Sequence, residues 1–497
     1  MMKIDLAFLY CLLLAARLYA ADFYVAPSGL DTNDGSLATP WTLTKALSHP
    51  ATVQPGDTIW LRGGTYTGTF ISSLQGSPEA PIKMRQYAGE RAVIDGSRVG
   101  FTSKHVTTFK VLGQDTWYWG FTVMNSDPER IITVSGSNPS EARGVGVDVL
   151  APRTKLINLL IHDTGQGVGI WKQAPDSEVY GCIIFNNGWV APDRKHGHGI
   201  YTQNETGAKL FKDNIVFSSF ENTVNMYGSD QAFLNNHTWD SNVLFKGRLL
   251  MGGGTPVKNL KLLGNYGYLQ NFELGYSNPN NEDAVIAGNY FYGGIGIKWF
   301  QRFDFFDNVV WPGGTFTKEI AITTPTTYDL AEYHIDRNVY YRKSAANVLE
   351  FSLATPAGNK LYKFNSSLPS PPNYGSWQML GFDASGAYFN NASLRPTGTQ
   401  IFLRPNQYEA GRAHLIIYNW EQQDKILVDL SSVLQSGERY QIRDAQNYVG
   451  CPVVRGIYSG PLYVSMNLTE CAQPLGDSGI VRTHTAPEFG VFVISKE

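Results

Sequence analysis

The fold class this sequence predicts is all-β, with short parallel strands stacked coil on coil as a solenoid. Three observations carry it. A short turn motif returns through the middle of the chain, an alternating strand motif precedes most returns, and no helical period lies between them. The elements follow in chain order.

Residues 1–20 read as an export signal. Lys3 precedes an apolar run from Leu6 to Ala16, and "RLYAAD" offers cleavage after Ala20. A membrane anchor is the alternative, but the run is short for a bilayer span. A secreted or periplasmic protein is therefore expected, with no later membrane span.

From there the pieces "INLLIH", "GCIIFN", "DNIVFS", "SNVLFK", "GNYGYL", "GNYFYG", "DNVVWP" and "RNVYYR" line up. Their shared positions are Asn158, Cys182, Asn214, Asn242, Asn265, Asn289, Asn308 and Asn338, spaced by 24, 32, 28, 23, 24, 19 and 30 residues. Asparagines stacked at one turn can bond to each other and to the backbone, so each is read as structural. Upstream lie "GVGIW", "GHGIY", "TVNMY", "RLLMG", "FELGY" and "GIGIK", with alternate residues apolar. Units of this kind bury a continuous core only by stacking. The solenoid is expected over residues 21–345.

Residues 346–397 read as a connector with irregular loops, as in "NSSLPSPPNYGSW". From 398 to 497 strands alternate with turns, which predicts an antiparallel β-sandwich. This part resembles the small C-terminal β domains of many bacterial glycosidases, and packing on the solenoid is its expected role.

Composition narrows the function. Net charge is −3 with 17% charged residues, which argues against nucleic acid, whose binding needs a basic face. Abundant Tyr, Trp, Gly and Asn suit a β protein that meets sugars, and would equally suit a structural one. Removing the signal takes Cys11, leaving Cys182, Cys451 and Cys471. Cys451 and Cys471 could pair, while Cys182 would be a buried thiol. No cysteine–histidine spacing matches zinc. "LDTNDGS" and "NPNNEDA" suggest calcium loops, but Asp31, Asn33 and Asp34 miss the required spacing. No cofactor is therefore expected, with calcium the one alternative left open.

Aligning the strand motifs assigns faces. Val168, His198, Val224, Leu249, Phe272 and Ile295 form one inward column, which puts His198 among core positions. One outward column holds Trp171, Tyr201, Tyr227, Gly252, Gly275 and Lys298, a row of three aromatics. The other holds Gly169, Gly199, Asn225, Leu250, Glu273 and Gly296. An exposed aromatic row marks recognition, unless loops or the C-terminal part cover it. The 32-residue spacing marks an insertion, "NNGWVAPDRKHG", and long loops on rigid scaffolds carry function. Asp193, Arg194, Lys195 and His196 would overhang the row.

The repeats and the N-terminal stretch "FYVAPSGLDTNDGSLATPWTLTKAL…VQPGDTIWLRGGTYTG" resemble right-handed parallel β-helix proteins of the pectate-lyase-like superfamily, over roughly residues 22–345. That group includes polysaccharide lyases, polygalacturonase-type hydrolases and alginate epimerases. The resemblance implies a right-handed parallel β-helix acting on a polysaccharide, opened by a short amphipathic capping helix from about Pro40 to Leu47 and a Pro55-Gly56-Asp57-Thr58 turn into the first coil, with the subfamily unassigned. The Asp-Asp pair of polygalacturonase-like enzymes is absent, as are an Asp-Pro-His-Asp motif and an Asn-Gly-x-Glu strand motif.

Elimination on a uronate polymer is the first expectation, because a lyase needs cations on the carboxylate, a base at C5 and an acid for the leaving oxygen. His196, His198, Tyr201, Tyr227, Arg248, Glu273 and Lys298 are the catalytic candidates, His196 first because its side chain titrates near neutrality. Trp171, Lys172, Asp193, Arg194, Lys195, Asn225 and Asp230 are the substrate-binding candidates. Hydrolysis through Glu273 with Asp230 or Glu221 is the second reading. A non-catalytic sugar-binding surface protein is the third. A monomer is expected.

Overall fold

The structure is a computed structural model, which describes residues 20–228, 233–312, 320–341, 351–364, 374–389 and 395–497. The export signal and Asp230 lie outside the described residues, Ala20 excepted. A capping helix spans Leu43–Leu47, with Thr42 accepting from the Lys45 amide as its N-cap. Leu43, Ala46 and Leu47 bury into the end of the core, closing what would be an open sheet edge. No helix among the described residues is long and apolar enough to cross a membrane.

One sheet has twelve strands, all parallel, from Asp22–Val25 to Tyr333–Asp336. Two further parallel faces stack beside it. They merge through two nine-residue strands, Val243–Met251 and Tyr266–Leu274, which run around a corner. Lys246 and Leu269 take left-handed backbone there (φ 53° and 49°), which supplies the bend. The core inside is a continuous apolar stack, and this is the parallel β-helix the repeats predict.

The turn motif has a physical basis in two adjacent positions. Asn158, Gly181, Asp213, Ser241, Gly264, Gly288, Asp307 and Arg337 all have left-handed backbone. The next residue points inward. From Asn214 through Asn242, Asn265, Asn289 and Asn308 to Asn338, each side-chain amide donates to the Oδ1 of the next, at 2.9–3.0 Å. Asp383 accepts from Asn338 at 2.8 Å and ends the series. Asn158 does not belong to it. Leu160 pairs with Ile183, so Leu159 is the counterpart of Cys182. Asn158 sits at the left-handed position and turns outward to Glu409 and Asn406.

The C-terminal part has a five-stranded sheet, ordered Thr399–Pro405, Arg412–Asn419, Phe489–Lys496, Arg439–Asp444, Val454–Ile457, and a two-stranded ribbon of Lys425–Val428 with Leu462–Ser465. All its pairings are antiparallel. A small core lies under the ribbon. The other face of the sheet packs Ile416, Tyr418, Trp420, Phe489 and Val491 onto Phe185, Phe217, Phe245 and Tyr268 of the β-helix. Cys451 and Cys471 are both free, one exposed and one half-buried, so they do not pair. Cys182 is a buried thiol, pushed up to about 12 by burial.

Candidate functional site

The strands that carry the site are Val145–Val149, Gln166–Ile170, His198–Thr202, Asn222–Met226, Val243–Met251 and Tyr266–Leu274, side by side on one face. Their register departs from the expected columns. Val168 pairs with Ile200, not His198, and Gly169 pairs with Tyr201. His198 pairs with Asn222. The inward column therefore reads Val147, Val168, Ile200, Val224, Leu249 and Phe272, and His198 is not in it. The outward column reads Asp148, Gly169, Tyr201, Asn225, Leu250 and Glu273. Trp171, Tyr201 and Tyr227 thus do not form one row. Trp171 leans over Tyr201 from the neighbouring position, ring centres 5.3 Å apart and tilted by 40°.

Two excursions wall the face. The insertion forms a hairpin in which Trp189 pairs with His196 and Val190 with Lys195. Gly197 lets it leave the helix. Its φ is 99°, and a Cβ there would lie 2.3 Å from both the Gly165 carbonyl and the Gly188 Cα. The segment around Arg130–Ile132 joins the hairpin through the Val190 amide and carbonyl, at 3.0 and 2.9 Å.

Between them opens a cavity of about 610 Å³. It brings together eight of the candidates: Trp171, Arg194, His196, His198, Tyr201, Asn225, Tyr227 and Arg248. His196 is buried and stacked on Trp189 (5.2 Å, 8°). Its Nε2 lies 3.1 Å from the Asp193 carboxylate, which this contact holds below its usual range. His196 is thus a wall of the pocket, fixed by Trp189 and Asp193. His198 reaches into the cavity with its side chain 13% exposed. Its Nε2 is 3.0 Å from Asn225 Nδ2 and 3.8 Å from Glu221, and its Nδ1 has no partner. Burial, then Arg194 and His196, bring its pKa down to about 3, so the ring is neutral at neutral pH.

The Tyr201 hydroxyl donates to the Tyr227 carbonyl at 3.1 Å, and burial raises its pKa, so it keeps its proton. Arg194 stands 3.7 Å from Glu221, its side chain half exposed. Arg248 pairs with Glu273 and stands over the Tyr276 ring at 5.5 Å.

Glu273 and Lys298 lie outside the lining. Lys298 Nζ is 2.6 Å from Glu273, and Arg248 holds its other oxygen. Burial works to raise the Glu273 carboxyl, but the two cations overcome it and keep it ionised. Lys172 faces Glu205 at 4.0 Å, Asp193 serves His196, and Lys195 is exposed, all outside the lining.

The cavity also contains residues that sequence reasoning missed: His105, Asp148, Trp189 and Tyr276. Asp148 was open to discovery, since extending the outward column one coil upstream reaches it in "GVGVDV". It accepts from Thr107 at 2.5 Å and from Trp171 Nε1 at 2.9 Å, and burial raises its pKa. Burial also raises Glu221 against the pull of Arg194. His105 has no counterpart motif in the sequence. Among the described residues no three His, Cys, Asp or Glu side chains cluster as metal ligands. In "LDTNDGS", Asp31 accepts from Thr42 and Asp34 from Ser36 and Thr39, as turn caps.

The stacked parallel faces define the class, a parallel β-helix protein, and the walled cleft on one of them is the candidate site. Residues 23–250 match the family model described as the Pel9A-like, right handed beta helix region, in line with the pectate-lyase-like resemblance, and the subfamily stays open. Pectate lyase PEL9 of Emericella nidulans is 42% identical over 84 residues, 16% of this chain and 20% of that protein. The uncharacterized protein YwoF of Bacillus subtilis is 34% identical over 98 residues, 20% of each. These matches cover about a fifth of the length of the curated relatives. Among solved structures, pectate lyase Pel9A is similar at 17% identity, covering 75% of this chain and 82% of its own, with a TM-score of 0.38. A mannuronic acid specific polysaccharide family 6 lyase from human gut microbiota is similar at 13% identity, covering 75% and 88%, with a TM-score of 0.43.

Proposed function

We propose that this chain is a polysaccharide-degrading enzyme that cleaves an acidic, uronate-containing polymer by β-elimination. One observation carries the reading: two arginines, Arg194 and Arg248, flank a neutral histidine and a protonated tyrosine in a single cleft. The arginines take the uronate carboxylate and stabilise the negative charge that develops when C5 loses its proton. His198 is the proton acceptor at Nε2 once the bound sugar displaces the Asn225 amide from it, and Glu221, 3.8 Å from Nε2, stabilises the imidazolium as it forms. Tyr201 gives its proton to the leaving oxygen as the C4–O bond breaks and the C4–C5 double bond forms. Trp171 and Tyr227 hold neighbouring sugar rings. Export to the periplasm or medium, action as a monomer, and the divisions 21–345, 346–397 and 398–497 belong to the same proposal.

A second reading is glycoside hydrolysis through Glu221 and Asp148, favoured by two carboxyls in one cleft that burial keeps toward the protonated form. Kinetics of variants on polygalacturonate separate the two. For elimination, Tyr201→Phe lowers kcat by about a hundredfold or more, as loss of a general acid does. Arg194→Ala chiefly raises KM, and Asp148→Asn retains most of the turnover. Loss of activity in Asp148→Asn with full activity in Tyr201→Phe would favour hydrolysis.

A further inference from the structure

The twelve-stranded sheet, which does not carry the cleft, presents an outer face of alternating aromatic and cationic side chains. The alternation is written in "TIWL", "IKMRQ" and "TWYW", where Ile59, Leu61, Ile82, Met84 and Tyr118 are buried. The residues between them point out, and Trp119 among them is buried beneath Tyr408 of the C-terminal part. Parallel register puts Trp60, Arg85 and Trp119 in one column, and Lys83, Trp117 and Lys155 in the next. The Arg85 guanidinium lies between two indoles, 5.1 Å from Trp60 and 4.1 Å from Trp119. Lys83 Nζ stands 5.6 Å from the Trp117 ring.

Lys155 is answered by Glu178 at 2.8 Å. Lys83 and Arg85 have no carboxylate at ion-pair distance among the described residues; Glu409 acts on Arg85 only from farther off, and Arg85 Nε is buried with no hydrogen-bond partner. Trp60, Lys83, Arg85 and Trp117 remain partly exposed. Cation–π contacts pre-position both charges without neutralising them.

We infer that this face is a second binding site, for an acidic polysaccharide chain, separate from the cleft. Indole rings stack on the apolar C–H faces of sugar rings, and the two unpaired cations meet carboxylates of the chain. A neutral glycan would leave both charges unanswered. The inference stands whether the cleft eliminates or hydrolyses.

Affinity electrophoresis of the full chain tests it, in native gels cast with polygalacturonate and scored against gels without polymer. The cleft is first disabled by Arg194→Ala with Arg248→Ala. Retardation should persist in that chain and weaken roughly tenfold on adding Lys83→Gln with Arg85→Gln, as lost charge-assisted contacts predict. Lys83→Gln alone, which leaves the indole–guanidinium stack in place, should weaken it about threefold on the same grounds. A gel of neutral galactan should not retard the chain. The inference falls if the parent chain is not retarded, if the cleft variant already loses all retardation, if the Lys83 and Arg85 changes have no effect, or if galactan retards equally.

Discussion

His198 shows how much a single side chain's surroundings decide. An ordinary histidine titrates near pH 6.5, but burial and the neighbouring Arg194 bring this one to about 3, and burial does the same to His414. Both rings are therefore neutral in the fold and take up protons more readily once unfolded. Their contribution to stability is fully present above about pH 6.5 and is lost as pH falls toward 3. Urea midpoints measured from pH 7 to pH 4 should fall, and in His198→Gln the fall should be shallower, by up to about 1.4 kcal/mol per pH unit. An unchanged slope would mean that His198 is as protonated in the fold as outside it. Glu273 illustrates the opposite case. Arg248 and Lys298 each hold one of its oxygens and keep the carboxyl below its usual range against burial.

At the scale of the element, the asparagine turn is the part most open to reading, because the repeat and the hydrogen bonds share one period. Asn265 Oδ1 accepts from both the amide and the side chain of Asn242, while its own Nδ2 donates to the Trp239 carbonyl. Asn265→Leu orphans these buried groups at about 1–3 kcal/mol each, so the variant should lose several kcal/mol in urea unfolding. Asn158→Leu should cost less, since Asn158 faces outward at the junction with the C-terminal sheet. Equal losses would refute the distinction.

Register was less legible. "GVGIW" and "GHGIY" match by letter, yet the true partner of Ile200 lies two residues from the matching one. A slip of two keeps every side chain on its own face, so alternation cannot detect it. His198 also sits at the entry end of its strand, where the side chain reaches the cleft rather than the core. The hairpin, Asp148 and His105 come together through coils far apart in sequence, which no local pattern encodes.

For the whole molecule, the C-terminal sheet matters as cover. Phe185, Phe217, Phe245 and Tyr268 point away from the helix interior and are buried by Tyr418, Trp420 and Phe489. The segment before its last strand also reaches the excursion beside the cleft: Arg143, buried there, donates to the carbonyls of Asp163 and Leu475. A chain ending at residue 397 would leave these rings open as a large apolar patch, and it should aggregate on expression. A soluble, monomeric product of that length would show the sheet to be an independent addition.

The central claim is the chemistry of the cleft, and one assay reaches it directly. Purified protein is incubated with polygalacturonate while ultraviolet absorbance and new reducing ends are followed together. Elimination creates one double bond for each new reducing end, so the two signals should rise in step and vanish together in Tyr201→Phe. Reducing ends without absorbance would contradict the account and turn attention to Glu221 and Asp148.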